Sequence, residues 1–330
     1  MQIKKIFLVL LYLSLISISI PFLLGFFNTL HPLCDSLSNF RVHLLVLLLA
    51  IFVLIVFLHE HRNYQLFYII LLSFGGFYLY HILQEFHPLP LSQKKNHQIK
   101  QMQFNLSFRN QEIDKVIEYI KKNPMDIITF QEVTDAHREA LQTLQIEGYG
   151  VEFKKDYPFI ERKKGAYPYQ AYCEFRGVGG GAILSKYPIN NEKTVCIQGE
   201  GLLWAEVQTP EQSIYVASIH LFWPFPYRQQ KQIKTLIPVL THIPKPTLIS
   251  GDFNAVAWSD AVEKIAKASN TKVVKGLRWS IELKKQLPLL PFMKLSIDHL
   301  LISKELEIEQ INVKKGLGSD HLPIVSLLRY

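Results

Sequence analysis

The side chains best suited to chemistry in this chain are a set of carboxylates and amides in its C-terminal two thirds. Hard oxygen ligands of this kind, with no thiolate cluster among them, suit Mg²⁺ or Mn²⁺ rather than zinc. Mg²⁺ typically takes one or two carboxylates and leaves water and phosphate oxygens to complete its octahedron. The composition therefore predicts a divalent-metal site that acts on a phosphoester. The set comprises Asn105, Glu132, Asp252, Asn254, Asp298 and Asp320.

Two histidines, His220 and His321, add groups that transfer or donate protons near neutral pH. A third, His299, directly follows Asp298. Neighbours on a strand point to opposite faces, so adjacency in the sequence does not make these two residues a dyad. The partner of each histidine depends on the fold.

Glu132, His220 and Asp252 each follow a short apolar run. Such runs are typical of buried strands, and in layered α/β folds functional groups collect where strands end. Taken singly, Glu132 can be a solvated strand-end carboxylate, and Asp252 can be an Asx-turn residue between Gly251 and Asn254. The repetition of the pattern at three strand ends is what indicates an active site.

The elements that must position these residues alternate along the chain. Asn110 can cap a helix that stops before Pro124, and apolar residues at helical spacing predict two more helices at residues 228–240 and 259–268. Alternation of strands and helices predicts an α/β domain. Strands are predicted at residues 99–106, 126–130, 182–185, 214–221, 247–250 and 299–302.

The first 91 residues differ from the rest of the chain in charge and hydropathy. Apolar runs at residues 6–27, 42–58 and 66–83 contain no Lys, Arg, Asp or Glu, and each is near the roughly 17–25 residues that span a bilayer. A cleaved signal peptide is the alternative for the first run, but its length and the two later runs favour a retained anchor. We therefore expect three membrane helices in residues 1–91, a linker at 92–98 and one catalytic domain at 99–330.

Charged residues beside the apolar runs set the expected orientation. Lys4 and Lys5 favour a cytoplasmic N-terminus, and three crossings then place the domain outside the cytoplasm, on a bacterial inner or plasma membrane. Lys94, Lys95 and Lys100 favour the opposite orientation. They lie well beyond the third run and can belong to the domain, so we expect an extracytoplasmic domain.

The residues after position 91 carry 32 basic and 25 acidic side chains, an excess of seven positive charges. This balance suits an anionic partner, although a mildly basic surface is also common in proteins that bind none. Cys34, Cys173 and Cys196 show no paired spacing typical of a zinc ribbon or a disulfide framework. Cys173 and Cys196 can bridge in an extracytoplasmic domain, but two unpaired buried thiols are the expectation we favour.

Six short motifs occur in a family-specific order and at similar spacing over some 230 residues. They are Phe104-Asn105, Gln131-Glu132, Ser218-Ile-His220, Gly251-Asp-Phe-Asn254, Ile297-Asp298-His and Gly318-Ser-Asp-His321. On these motifs the chain resembles the endonuclease/exonuclease/phosphatase family, which includes DNase I-like nucleases, sphingomyelinases and inositol-phosphate phosphatases. The stretch Gly180-Gly-Ala-Ile-Leu-Ser-Lys-Tyr-Pro188 also looks like an internal strand and turn of that family.

The resemblance implies the fold and the metal side of the site. It implies a four-layer α/β/β/α sandwich of the DNase I-like type, with the active site at one end. Glu132 would be the principal metal ligand, Asn105 would help to hold the metal or the phosphate, and Asp320 would lie on the metal side. The metal would be Mg²⁺ or Mn²⁺.

The resemblance also implies roles for the catalytic side chains. Asp252 would orient or deprotonate the attacking water, and Asn254 would stabilise the charge on a phosphorane-like centre. His321 would contact the scissile phosphate while Asp298 fixes its imidazole. His220 would donate to a phosphate or leaving-group oxygen. Phosphoryl chemistry of this kind needs in-line positioning and charge neutralisation more than a covalent nucleophile.

Details of the motifs indicate which subgroup of the family the chain resembles. Leu106-Ser107 follows Asn105, so the acidic residue carried two positions on by abasic-site DNA-repair members is missing. Asn254-Ala255 followed by Trp258-Ser259 resembles bacterial membrane-anchored members. Aromatic stretches at residues 154–172 and 220–227 are candidate substrate contacts or ordinary solvated loops.

The sequence thus predicts a membrane-anchored hydrolase of a phosphodiester in nucleic acid or a phospholipid headgroup. The lipid bilayer is the expected partner, and no obligate protein partner is inferred. A catalytically silent membrane receptor for phosphorylated ligands is the alternative, separated by metal-dependent turnover of a generic phosphodiester.

Overall fold

A computed structural model describes residues 2–58, 69, 73–78, 80, 95–154, 157–175, 177–283 and 293–330 of the chain. For residues 148–154 and 157–162 it describes the backbone alone. The third apolar run, at residues 66–83, therefore lies mostly outside the described residues, and residues 92–94 of the expected linker lie outside them as well. The same holds for the basic part of the aromatic stretch at residues 154–162.

The described N-terminal part is helical. It comprises α1 (Gln2–Leu24), a 3₁₀ turn (Gly25–Phe27), α2 (Pro32–Ser38) and α3 (Arg41–Leu58). Two stretches are long and apolar enough to cross a membrane, Gln2–Phe27 and Arg41–Leu58, and only 6% of the first apolar window is buried against the rest of the chain. The corresponding window of Arg41–Leu58 is 39% buried, so the evidence that it can span a membrane is its length and composition alone.

The remaining chain forms two six-stranded sheets packed face to face between two pairs of helices. The helices are α4 (Ile113–Lys122), α5 (Asp135–Gln142), α6 (Gln229–Leu240) and α7 (Asp260–Ala268). The strands are β1 (Gln98–Asn105), β2 (Ile127–Val133), β3 (Ile146–Lys154), β4 (Tyr157–Lys164), β5 (Tyr169–Phe175), β6 (Gly179–Ser185), β7 (Ile189–Ile197), β8 (Leu202–Gln208), β9 (Ser213–His220), β10 (Thr247–Asp252), β11 (Lys272–Val273), β12 (Ile281–Glu282), β13 (Lys294–Leu295), β14 (Asp298–Ile302), β15 (Glu307–Val313) and β16 (Ile324–Arg329).

The strand order of each sheet brings distant parts of the sequence together. The first sheet runs β15-β16-β1-β2-β6-β5 and the second β11-β14-β10-β9-β8-β7, while β3-β4 and β12-β13 form separate two-stranded pairs. Helices α4 and α5 pack on the outer face of the first sheet through Val116, Ile120 and Leu141. Helices α6 and α7 pack on the second, so the predicted α/β/β/α sandwich of the DNase I-like type is confirmed.

The layer between the sheets changes character along the strands. Toward one end it is apolar, with Ile99, Ile127, Val216, Leu248 and Ile324 in one buried cluster. Toward the other end the buried side chains are polar and hydrogen-bonded across the gap. Buried polar groups persist only where they are paired, so this end is a preorganised polar layer.

Cys173 and Cys196 form a disulfide, with Cα atoms 5.4 Å apart. The favoured expectation of two unpaired thiols was wrong. Cys173 lies on β5 and Cys196 on β7, which are the edge strands of the two different sheets at the same side of the sandwich. Their proximity follows from the packing of the sheets, which spacing along the chain does not reveal.

Candidate active site

Strand ends from both sheets meet at the polar end of the sandwich. In the second sheet, Asp252 is paired with His220 on parallel β9 and with Asp298 on antiparallel β14. In the first sheet, Asn105 ends β1 beside Gln131 on parallel β2. Because β9 runs parallel to β10 and β1 parallel to β2, the ends of these strands lie at one edge, as expected in α/β folds. Antiparallel β14 brings its first residue, Asp298, to the same edge.

Glu132 is held in an unusual backbone conformation at the end of β2. Its φ of 54° lies in the left-handed region, which non-glycine residues adopt mostly where the surroundings enforce it. Gly179 on the neighbouring strand passes so close that an added Cβ would lie 2.8 Å from the Glu132 carbonyl carbon. The backbone N–H of Phe108 donates to Glu132 Oε2 at 2.8 Å, and Asn105 Nδ2 donates to Oε1 at 3.1 Å. The carboxylate is therefore fixed in direction.

Asp252 is common to two groups of possible ligands. In the first, His220 Nε2 lies 3.8 Å from Glu132 Oε1 and 3.6 Å from Asp252 Oδ2. Asn105 Nδ2 donates to the same Asp252 oxygen at 3.0 Å. Three hard or borderline ligands thus converge on one small space. The Asn105 amide beside them donates to two of these ligands, the Glu132 and Asp252 carboxylates.

The second group joins Asp252 to Asp298 and His321. His321 Nδ1 lies 2.8 Å from Asp298 Oδ2, and His321 Nε2 lies 3.6 Å from Asp252 Oδ2. The imidazole is nearly fully buried between the two carboxylates. Its second nitrogen is thereby directed into the same space as Glu132 and His220.

Burial and crowding shift the proton affinities of these groups. Burial raises the pKa of Asp252 to about 8, with the Asp298 carboxylate adding to the effect and His321 opposing it. Burial alone would lower the pKa of His321, but the Asp298 and Asp252 carboxylates raise it to about 10. Burial lowers the pKa of His220 to about 4 against the attraction of Glu132. At neutral pH His321 is a cation and His220 is neutral.

These properties fit a divalent cation. The raised pKa of the buried Asp252 carboxyl indicates that the positive charge of His321 alone does not offset the effects of burial and of the neighbouring carboxylates. Asn254 Oδ1 is also buried and has no hydrogen-bond partner among the residues that the structure describes. Carboxylate and amide oxygens are hard ligands, and they suit Mg²⁺ or Mn²⁺ rather than a metal that prefers thiolates.

The remaining polar residues named from the sequence lie outside the two ligand groups. Asn254 also has a left-handed φ, 48°, and donates from Nδ2 to Leu221 O at 2.7 Å. Asp320 is outside the two ligand groups, but its charge raises the pKa of His321. His299 faces away from Asp298 and bonds Ala255 O through Nε2 at 2.8 Å, consistent with alternate facing along a strand.

Three polar residues that support the site were not singled out from the sequence. Gln103 Nε2 donates to Asp298 Oδ1 at 2.8 Å and to Gln131 Oε1 at 2.9 Å, so it joins the two sheets beneath the dyad. Ser319 Oγ donates to Asn105 O at 2.8 Å and accepts from His321 N. The sequence signal for Gln103 was glutamine at alternate positions 101 and 103 of a strand, between apolar Met102 and Phe104, which is unusual for a purely structural β-strand.

A groove of about 530 Å³ adjoins the metal-ligand groups. It is lined by Arg138, Tyr172 and Phe175 and by the disulfide. The Phe175 ring lies 4.8 Å from the His220 imidazole, and the Arg138 guanidinium lies over Tyr172 at 4.7 Å. The groove thus combines aromatic rings with a cationic side chain.

The sequence matches the pattern of a known family over most of the sandwich. The Endonuclease/Exonuclease/phosphatase family matches residues 102–321, which is more than half of the chain and includes all the predicted site residues. No curated protein matches the chain.

Solved structures share the fold at low sequence identity. An endonuclease/exonuclease/phosphatase from Bacteroides vulgatus is 16% identical, covering 71% of this chain and 99% of that chain with a TM-score of 0.51. A humanized TDP2 of D. rerio is 16% identical over 70% of this chain and 98% of that chain, with a TM-score of 0.51. A beta toxin mutant of Staphylococcus aureus with bound magnesium ions is 17% identical over 70% and 99%, with a TM-score of 0.50. At these identities the likeness shows the fold alone.

Proposed function

Since the chain belongs to the endonuclease/exonuclease/phosphatase family, we propose that it is a membrane-anchored, Mg²⁺- or Mn²⁺-dependent phosphodiesterase. The observation that carries the proposal is the position of Asp252, whose carboxylate is shared by the Glu132–His220 group and the Asp298–His321 group. One space is thus lined by candidate metal ligands on one side and by a charged proton donor on the other.

Glu132 and Asn105 are the residues that would hold the metal, with Asp320 nearby. A bound divalent cation would neutralise charge on a phosphate oxygen and lower the pKa of neighbouring acids. The structural support is the fixed direction of the Glu132 carboxylate, which the Phe108 amide and the Asn105 side chain both hold.

The other residues would position the phosphodiester and move protons. His321, a cation fixed by Asp298, would donate from Nε2 to a phosphate oxygen. Asp252, as a carboxylate, would take a proton from the attacking water, while Asn254 and His220 would donate to phosphate or leaving-group oxygens. The water oxygen forms the new P–O bond, the ester P–O bond breaks, and the leaving alcohol takes up a proton. The products are one phosphomonoester and one alcohol.

Membrane anchoring belongs to the same proposal. The apolar stretches Gln2–Phe27 and Arg41–Leu58 and the third run at residues 66–83 would form three spans, with the domain outside the cytoplasm. The Cys173–Cys196 disulfide supports this placement because disulfides persist in oxidising compartments and are rare in the cytoplasm. A reporter fused after Tyr330 should be active outside the cytoplasm, and activity inside alone would reject the placement.

The decisive experiment measures turnover of bis-p-nitrophenyl phosphate by the full-length protein in detergent. Activity should disappear in EDTA and return with Mg²⁺ or Mn²⁺. Full activity in chelator would reject the mechanism. Tight binding of phosphate esters without turnover in either metal would instead favour the silent receptor.

A further inference from the structure

The segment that joins the first two apolar helices packs against the sandwich. We call residues 28–40 the connector. Asn28 Nδ2 donates to Trp258 O at 2.8 Å, and Trp258 Nε1 donates to Ser38 O at 3.0 Å. Asn39 Oδ1 accepts from Val256 N at 2.9 Å. Ser38 and Asn39 are buried by this packing, so the connector is part of the folded domain's surface.

Asp35 makes the most polar contact of the connector. Its two carboxylate oxygens accept from the backbone N–H groups of Asp260 at 2.8 Å and Ala261 at 3.2 Å, at the first turn of α7. A carboxylate at a helix N-terminus satisfies donors that lack partners within the helix and interacts favourably with the helix dipole. Asp35 is only 2% exposed, so this contact is specific in position.

The connector contacts the catalytic end of the sandwich. Val256 and Trp258 belong to the loop that directly follows Asp252 and Asn254, and Asp260 begins α7 at the end of that loop. Ser36 Oγ donates to Phe225 O at 3.1 Å, in the loop that follows His220. Phe40 packs against the apolar cluster of Ile281, Leu283, Leu295 and Ile297, which immediately precedes Asp298. Segments that adjoin His220, Asp252 and Asp298 in the sequence therefore all contact the connector.

Exposed aromatic side chains lie beside this contact. Trp223, Phe225 and Tyr227 are 43%, 43% and 67% exposed, and the Phe225 ring lies 5.7 Å from His31 of the connector. On the connector side the exposed apolar surface continues through Phe27, Leu30 and Leu33. Arg228 is exposed next to Tyr227, with its guanidinium 5.7 Å from the Phe222 ring. Aromatic rings with a basic neighbour are typical of a bilayer interface.

We infer that the catalytic end of the sandwich rests on the bilayer surface, held there by the connector, with the Trp223–Tyr227 loop inserted among the lipid headgroups. The partner is the lipid bilayer, because the patch contacts the connector, which joins the ends of two apolar helices. The site then takes phosphodiesters presented at the membrane surface in preference to those free in solution, a consequence that rests on the proposed function.

The docking itself is tested without activity. Full-length protein is reconstituted into phosphatidylcholine and phosphatidylglycerol vesicles that carry bromine on the acyl chains near the headgroup. Bromine quenches nearby tryptophan fluorescence, so the quenched signal should fall strongly in Trp223→Phe. Trp204→Phe is the matched control, since Trp204 is buried in the second sheet's helix-facing cluster and its loss should leave the quenched signal unchanged. Equal quenching in wild type and Trp223→Phe would overturn the docking.

The consequence for substrate is tested with a charge at the centre of the patch. Phe225→Glu should lower the ratio of vesicle-phospholipid turnover to soluble bis-p-nitrophenyl phosphate turnover about tenfold, by removing the burial of one ring at the interface. Phe225→Leu should retain both activities. An equal loss on both substrates, or faster cleavage of a free DNA oligonucleotide than of vesicle lipid, would overturn the preference.

The two tests also separate this inference from the proposed function. A protein that hydrolyses none of these diesters while Trp223 remains quenched by brominated lipid contradicts the proposed function and supports the docking. A protein that hydrolyses the soluble diester without quenching at Trp223 supports the proposed function and contradicts the docking. If Phe225→Glu abolishes a dimer and no lipid quenching occurs, the patch is a contact between protein copies and the docking is rejected.

Discussion

His321 Nδ1 lies 2.8 Å from Asp298 Oδ2, although the two residues belong to different sheets of the sandwich. His321 precedes β16 in the first sheet, and Asp298 begins β14 in the second. Gln103 occupies the other carboxylate oxygen of Asp298, so that carboxylate has one direction left for the imidazole. The dyad is therefore a product of the face-to-face packing of the sheets.

Asp298→Asn should lower the pKa of His321, because the carboxylate is the main group that raises it. The imidazole would then be neutral over more of the working pH range and less firmly oriented, so kcat should fall about 100-fold or more. The loss should grow as the pH rises. The measurements are a pH profile of kcat and the NMR titration of the His321 ring; an unchanged titration would contradict the assigned pairing.

Stability of the metal-free protein should depend on pH in a defined direction. The folded-state pKa values of Asp252, about 8, and His321, about 10, both exceed their ordinary values of 3.8 and 6.5. The folded state therefore binds more protons than the unfolded state, and this stabilisation is lost as pH rises through the folded pKa values. The thermal midpoint without metal should fall between about pH 7 and about pH 10. Saturating Mg²⁺ should reduce this fall of the thermal midpoint with pH, since the bound cation replaces those protons.

Glu132→Gln tests the metal side of the site. The variant should lose about 100-fold or more in kcat/KM at low Mg²⁺, with partial recovery at high Mg²⁺ because weaker binding is offset by mass action. The metal-free thermal midpoint should be unchanged or higher, since one charge leaves a crowded group of acids. His321→Ala is the comparison, for which excess metal should restore nothing. Unfolding of both variants would instead indicate structural roles.

The fold class could be predicted, and candidate site residues could be named, because each depends on a short-range pattern. The ends of β2, β9 and β10 are apolar runs that stop at a polar residue, and periodic apolar residues define α6 and α7. The edge strands β7 and β15 were missed because every residue of both is half-buried or exposed, which removes the apolar signal that marks a buried strand.

Pairings between distant segments could not be predicted from local patterns. The Cys173–Cys196 bridge requires that β5 and β7 lie at the same side of the sandwich. The role of Gln103 requires that β1 face β14 across the interior. The contact of Asp35 with α7 joins residues 225 positions apart. In each case the partner is set by packing of whole sheets or helices.

Removing the disulfide should destabilise the sandwich without abolishing the site. The Cys173→Ala, Cys196→Ala double variant opens a link across 23 residues that joins the edges of the two sheets. Loop-closure entropy of that size predicts a loss of about 3 kcal/mol in the free energy of unfolding.

Cys34→Ala is the control, because Cys34 is a buried free thiol and its loss should leave the redox response intact. The measurements are chemical denaturation with and without reductant, and the mass gained on alkylation of the unfolded chain. The wild-type protein should lose stability in reductant and the double variant should not. Alkylation of all three cysteines in unreduced protein isolated from an oxidising compartment would show that the bridge does not form.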